Sequence, residues 1–186
     1  MRSVLLVIDM QVDFFERVPA LAERRASLVA TINELAAAFR RAARPIVWVR
    51  QEFAEDLSDA FLDMRRHATR ITIAGTRGAE LLPELDRQPH DVVLVKQRYS
   101  AFFRTQLDEL LASWSPVTLV LAGIKTHACV RATAIDAYQR DMEVLLARDG
   151  IASGDAEHHD VTLRYLDDHI VGIRTNAELL THLEDA

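Results

Sequence analysis

The sequence predicts an α/β fold in three layers, a parallel β-sheet with helices on both faces. Three observations point there. The short apolar runs lack period-two alternation, so both faces of each are buried. Stretches with helical spacing separate those runs. The 186 residues amount to about one domain, with no repeat, low-complexity tract or Pro/Gly-rich linker to divide them. Residues 1–186 therefore read as a single domain.

The first run, Val4–Ile8, stops at Asp9. Leu21, Leu28, Ile32, Leu35 and Phe39 then share one helical face within residues 20–42. Pro45 ends that helix and opens the second run, Ile46–Val49. Residues 51–70 are polar and aperiodic, and read as a long loop with a helical turn or two. Gly75–Gly78 reads as a turn before a short helix at Glu80–Leu85. The third run, Val92–Val95, ends at Lys96, and a helix follows over 103–113. The fourth, Val117–Ala122, ends at Gly123 and leads to a helix over 128–140. A fifth run, Val144–Leu146, a helix over 155–167, a sixth run at Ile170–Ile173 and a last helix capped by Asn176 complete the chain. This alternation implies right-handed crossovers in an open, Rossmann-like sheet with six parallel strands. Ligands of such sheets bind outside the carboxyl ends of the strands.

Composition excludes several classes. Lys plus Arg is 22 and Asp plus Glu is 28, a net charge of −6, and no basic cluster is present, so no nucleic-acid partner is expected. The longest apolar runs fall far short of the ~20 residues of a membrane span. Asp9 interrupts the first run, which therefore does not read as a signal peptide. The single cysteine, Cys129, allows no intrachain disulfide and no Cys-based zinc knuckle. A lone thiol fits a reducing compartment, and the expected location is the cytoplasm. Gly75-Thr76-Arg77-Gly78 matches neither phosphate-binding pattern.

Three ionisable residues stand at the carboxyl ends of strands. Asp9 ends the first, Lys96 ends the third, and Cys129 opens the helix after the fourth. A thiolate at a helix N-terminus beside a lysine is stabilised by dipole and charge. A carboxylate can take the thiol proton and return it to a leaving group. First-turn N–H groups can receive an oxyanion. Each residue also has a structural reading: a small buried hydrophobe for Cys129, a solvated rim for Asp9 and Lys96. The residues alone leave both readings open.

Four segments then carry a resemblance. Leu6-Val7-Ile8-Asp9-Met10-Gln11-Val12-Asp13-Phe14, Lys96-Gln97-Arg98-Tyr99-Ser100-Ala101-Phe102, Gly123-Ile124-Lys125-Thr126-His127-Ala128-Cys129-Val130 and Thr133–Tyr138 resemble the motifs of the isochorismatase-like cysteine hydrolases, in order and spacing. The resemblance implies the strand order 3-2-1-4-5-6. It implies Cys129 as nucleophile, Asp9 as general acid/base and Lys96 as their cationic partner. It implies a cis peptide between Ile124 and Lys125 that aims the N–H groups of Lys125 and Cys129 at an oxyanion. Phe14, Gln51, Arg98 and Phe102 stand as substrate contacts, the two phenylalanines having plain core packing as their alternative. Members of this family tend to form dimers or tetramers, so a homo-oligomer is expected, with Phe53 and Phe61 as apolar interface candidates.

The departures narrow the function. Metal-dependent nicotinamidases carry Asp-x-His after strand two, where this chain has Arg50-Gln51-Glu52-Phe53, and His67 is the one histidine of the next loop. No metal and no other cofactor is expected. True isochorismatases lack the cysteine, and this chain keeps it. That favours cleavage of a C–N bond in a small amide, carbamoyl compound or ureide through a thioester. The alternatives are a vinyl-ether hydrolase using Asp9 without covalent catalysis, and a binding module with a vestigial site. His158-His159 reads as a capping or surface pair.

Overall fold

The computed structural model describes residues 2–114, 117–167 and 169–184. Six strands form one parallel sheet: β1 (Arg2–Ile8), β2 (Ile46–Gln51), β3 (Val92–Lys96), β4 (Val117–Ile124), β5 (Glu143–Ala152) and β6 (Gly172–Arg174). Their order is β3-β2-β1-β4-β5-β6, as the resemblance implies. The strand order reverses between β1 and β4, which open adjacent ends for chemistry.

The two faces of the sheet are separated by alternation along β1. Leu5 and Val7 join a core with Leu28, Ile32, Leu35 and Phe39 of the long helix α2 (Pro19–Arg41). Val4, Leu6 and Ile8 point the other way, into a second core with Leu107 and Leu111 of α4 (Leu107–Ala112) and Ala134 and Ala137 of α5 (Arg131–Tyr138). Two-sided burial is why these strands read as unbroken apolar runs. The remaining helices are α1 (Val12–Arg17), α3 (Leu62–His67), α6 (Ala156–Leu166) and α7 (Asn176–Glu184). None of the helices described is long and apolar enough to cross a membrane.

Several local expectations are corrected. No helix forms at Glu80–Leu85: a single 3₁₀ turn occupies Arg77–Ala79, and Leu81 makes an isolated antiparallel bridge to Gln11. Pro83, at the centre of that segment, has no N–H to give a helix. The helix expected over 103–113 begins only at Leu107, whose N–H bonds to Thr105 Oγ1 at 3.2 Å. Thr175, one residue before Asn176, caps α7. Its N–H bonds to Glu178 Oε2 at 2.7 Å, while Thr175 Oγ1 accepts from the Glu178 N–H at 3.3 Å, a reciprocal capping box. Phe53 is fully buried in a small core of its own with Leu57, Ala60, Met64 and Ile73, so it presents no apolar surface to a partner.

Candidate active site

Asp9 leaves β1 with a φ of 53° and is held by its N–H to Val49 O at 2.8 Å. Lys96 is the last residue of β3, two strands away, and its four-carbon stem reaches past the end of β2. Cys129 lies in a π-helical turn, Thr126–Val130, that follows β4 directly. All three side chains are buried. Lys96 Nζ spends its three protons on three acceptors: Asp9 Oδ2 at 2.7 Å, Cys129 Sγ at 3.4 Å and the Arg98 carbonyl at 3.1 Å. Asp9 Oδ1 is buried with no hydrogen-bond partner among the described residues.

The electrostatics follow from that enclosure. Burial raises the Asp9 carboxyl above its ordinary range, against the opposing pull of Lys96. Burial works against the Lys96 ammonium too, yet Asp9 and Cys129 hold its pKa above the usual value. Burial and the neighbouring Asp9 charge push the Cys129 thiol up to about 12. The pull of Lys96 toward a thiolate is outweighed here by desolvation and the adjacent carboxylate.

The turn that carries Cys129 is tied on several sides. Thr133 Oγ1 donates to the Cys129 carbonyl at 2.8 Å and accepts from the Ala101 N–H at 3.0 Å, which joins the Cys129 turn to the loop after β3. Thr126 Oγ1 meets His159 Nδ1 at 2.9 Å, and His127 Nδ1 meets Ser153 Oγ at 2.6 Å. Asp155 caps α6, its Oδ1 accepting from the His158 backbone N–H at 2.8 Å. The peptide between Ile124 and Lys125 is cis.

A cavity of about 100 Å³ opens over the trio. Asp9 and Cys129 line it together with Phe14, Gln51, Tyr99, Ile124, Lys125, His127 and Ala128. Gln51 is buried, and its Nε2 has no hydrogen-bond partner among the described residues. Gln11 fixes the backbone of Gln51, donating to its carbonyl at 2.7 Å and accepting from its N–H at 2.8 Å, and donates to Ala79 O at 2.8 Å. Tyr99, His127 and Gln11 were not singled out from sequence. Their roles depend on which loops meet at the cavity, and no local pattern encodes that.

Two of the expected substrate contacts lie elsewhere. Arg98 turns its guanidinium outward, to the carbonyls of Asp59 and Gln97 at 2.7 Å each and over the Phe61 ring at 5.1 Å. Its contribution to the site is the carbonyl that receives Lys96. Phe102 does not line the cavity. It packs in the same core as Ala101 and Leu107, with the Arg140 guanidinium 4.3 Å from its ring centre. Phe14 and Gln51 do line the cavity. A larger cleft of about 510 Å³, bordered by Arg50, Leu81, Pro83 and Arg87, holds neither a nucleophile nor a buried ion pair. Among the described residues, no group of three or more His, Cys, Asp and Glu side chains is arranged to hold a metal ion. His67 is on α3, paired with Asp63 at 3.3 Å.

Residues 3–178 match the family model described as the isochorismatase domain. The chain belongs to the isochorismatase family. This isochorismatase-family hydrolase is 34% identical over 181 residues to a probable inactive nicotinamidase of Arabidopsis thaliana, covering 93% of this chain and 91% of that protein. It is 31% identical over 178 residues to the ureidoacrylate amidohydrolase RutB of Methylorubrum extorquens, covering 84% of this chain and 69% of that one. Among solved structures, a cysteine hydrolase from Pseudomonas syringae pv. phaseolicola superposes with a TM-score of 0.91 at 26% identity, covering 99% of this chain and 93% of that one.

Proposed function

We propose that this isochorismatase-family member is a cysteine amidohydrolase that cleaves a C–N bond in a small non-peptide amide, carbamoyl compound or ureide. The observation that carries the reading is the Lys96 ammonium, bonded at once to Asp9 Oδ2 and Cys129 Sγ with Asp9 Oδ1 left open. A thiol held up at about 12 reacts only if its proton leaves as the sulfur attacks. A carboxylate with a raised pKa and an unoccupied oxygen is suited to take that proton.

Sulfur adds to the carbonyl carbon while the thiol proton passes to Asp9, and the C=O electrons move to oxygen. The N–H groups of Lys125 and Cys129 receive the oxyanion. Its collapse expels ammonia or an amine, which leaves with the proton from Asp9, and a thioester remains. Asp9 then deprotonates water, which attacks the thioester and releases the acid. The departing Cys129 sulfur recovers a proton from Asp9. Gln51 Nε2 has a free proton for an acceptor on the substrate. Kinship with an amidohydrolase and structural likeness to a cysteine hydrolase support this reading.

The test is ammonia release from a panel of small primary amides, carbamoyl compounds and ureides, wild type against Cys129→Ala. Release that disappears in the variant is the expected outcome. Ammonia release that persists without the sulfur overturns the nucleophile, whereas turnover of isochorismate that survives Cys129→Ala points to a vinyl-ether hydrolase. No turnover of any compound, isochorismate included, points to a binding module.

A further inference from the structure

Lys125 stands on the cavity wall, partly exposed, with Nζ 5.7 Å from the centre of the Phe14 ring. No carboxylate lies within ion-pair distance of it among the described residues. The one acid of the cavity, Asp9, is already paired with Lys96. The other polar wall groups include donors in need of acceptors. Gln51 Nε2 is buried and unpartnered. The lining therefore carries one uncompensated cation and unused donors, and no free anion.

We infer that Lys125 is a specificity residue that recognises a carboxylate on the substrate, which makes the substrate a small acid amide or ureido acid. The inference rests on the C–N hydrolysis reading, which places the reacting carbonyl at Cys129. About 100 Å³ admits little more than the carbonyl head. The rest of the molecule then extends to the rim, where Lys125 is the charged group it meets. A neutral amide gives that ammonium no partner, whereas a carboxylate gives it a charge-assisted hydrogen bond. The Phe14 ring face attracts the ammonium and favours its position at the rim.

Binding and turnover are tested separately. Malonamate, succinamate and glutaramate are each paired with the neutral amide in which a methyl group replaces the carboxylate. Calorimetric binding to the Cys129→Ala protein is expected to favour the best acid over its neutral partner by about 10- to 100-fold. Adding Lys125→Met is expected to bring that ratio close to one, while Lys125→Arg keeps most of it. Added salt is expected to weaken binding of the acid and not of the neutral amide. A preference that survives Lys125→Met, equal binding of acid and neutral amide, or no binding of any acid overturns the inference. Wild-type protein that binds the acids selectively but releases no ammonia would count against the hydrolytic reading and leave the role of Lys125 standing.

Discussion

A β-carbon on Gly123 would collide with the backbone of Ile8, within 2.7 Å of its nitrogen, where β4 and β1 pair directly. Ile8 precedes Asp9 and Gly123 leads into the turn of Cys129. The missing side chain thus sets how closely the two strands approach just below the site. Gly123 also has a φ of 108°, which an L side chain rarely adopts. Gly123→Ala is expected to cost about 2–4 kcal/mol, read from the urea unfolding midpoint. An unchanged midpoint would contradict the close approach.

Lys96→Met leaves the Asp9 carboxylate buried with no counter-charge. Removing one member of a buried pair costs about 3–5 kcal/mol. The loss depends on pH with a defined sign. Asp9 titrates above its ordinary value in the folded protein, and without Lys96 it titrates higher still. Burying its charge therefore weighs against folding increasingly as pH rises through and above the normal carboxylate range. Unfolding measured at pH 5 and pH 8 is expected to show the larger loss at pH 8. Adding Asp9→Asn is expected to restore part of it.

The thiol reports on the same pair. At pH 8 wild-type Cys129 is expected to alkylate more slowly than a free thiol, because its pKa is about 12. In Asp9→Asn the opposing charge is gone and Lys96 remains, so the thiol pKa is expected to fall toward the ordinary range. Thiolate absorbance near 240 nm, followed against pH, measures this. A pKa that stays put or rises would show that Asp9 does not control the sulfur.

Gln11, the residue before α1, ties that end of the β1–α1 connection to β2 and to the 3₁₀ turn through three bonds. Gln11→Ala strands buried backbone groups and is expected to cost about 3 kcal/mol. Because it loosens Gln51 without touching the trio, KM for a good amide substrate is expected to rise more than kcat falls. A variant with both constants at wild-type values would exclude this positioning role.

The sheet was legible because burial on both faces writes itself into unbroken runs such as Val4–Ile8. The trio was legible because each member sits at or beside a strand end, where topology alone directs it. Arg98 was not. Its spacing from Lys96 suggests a shared face, but β3 ends at Lys96 and the chain turns, so the carbonyl faces the site and the guanidinium leaves it. Phe53 looked exposed in a polar stretch, yet Ile73 and Met64 from elsewhere in the chain enclose it. The raised pKa of Cys129 was not legible, because local rules register the turn and the lysine, while desolvation depends on everything packed around the sulfur.

The three side chains of the candidate site are far apart along the chain. Lys96 is 87 positions from Asp9 and 33 from Cys129, and the three join only after β3, β2, β1 and β4 have aligned side by side. Contacts of such long sequence separation are slow to form. During refolding, helicity is therefore expected to return first and turnover later. The interval between them would time the closing of the sheet's centre, making the enzyme's own activity a clock for the last step of its assembly.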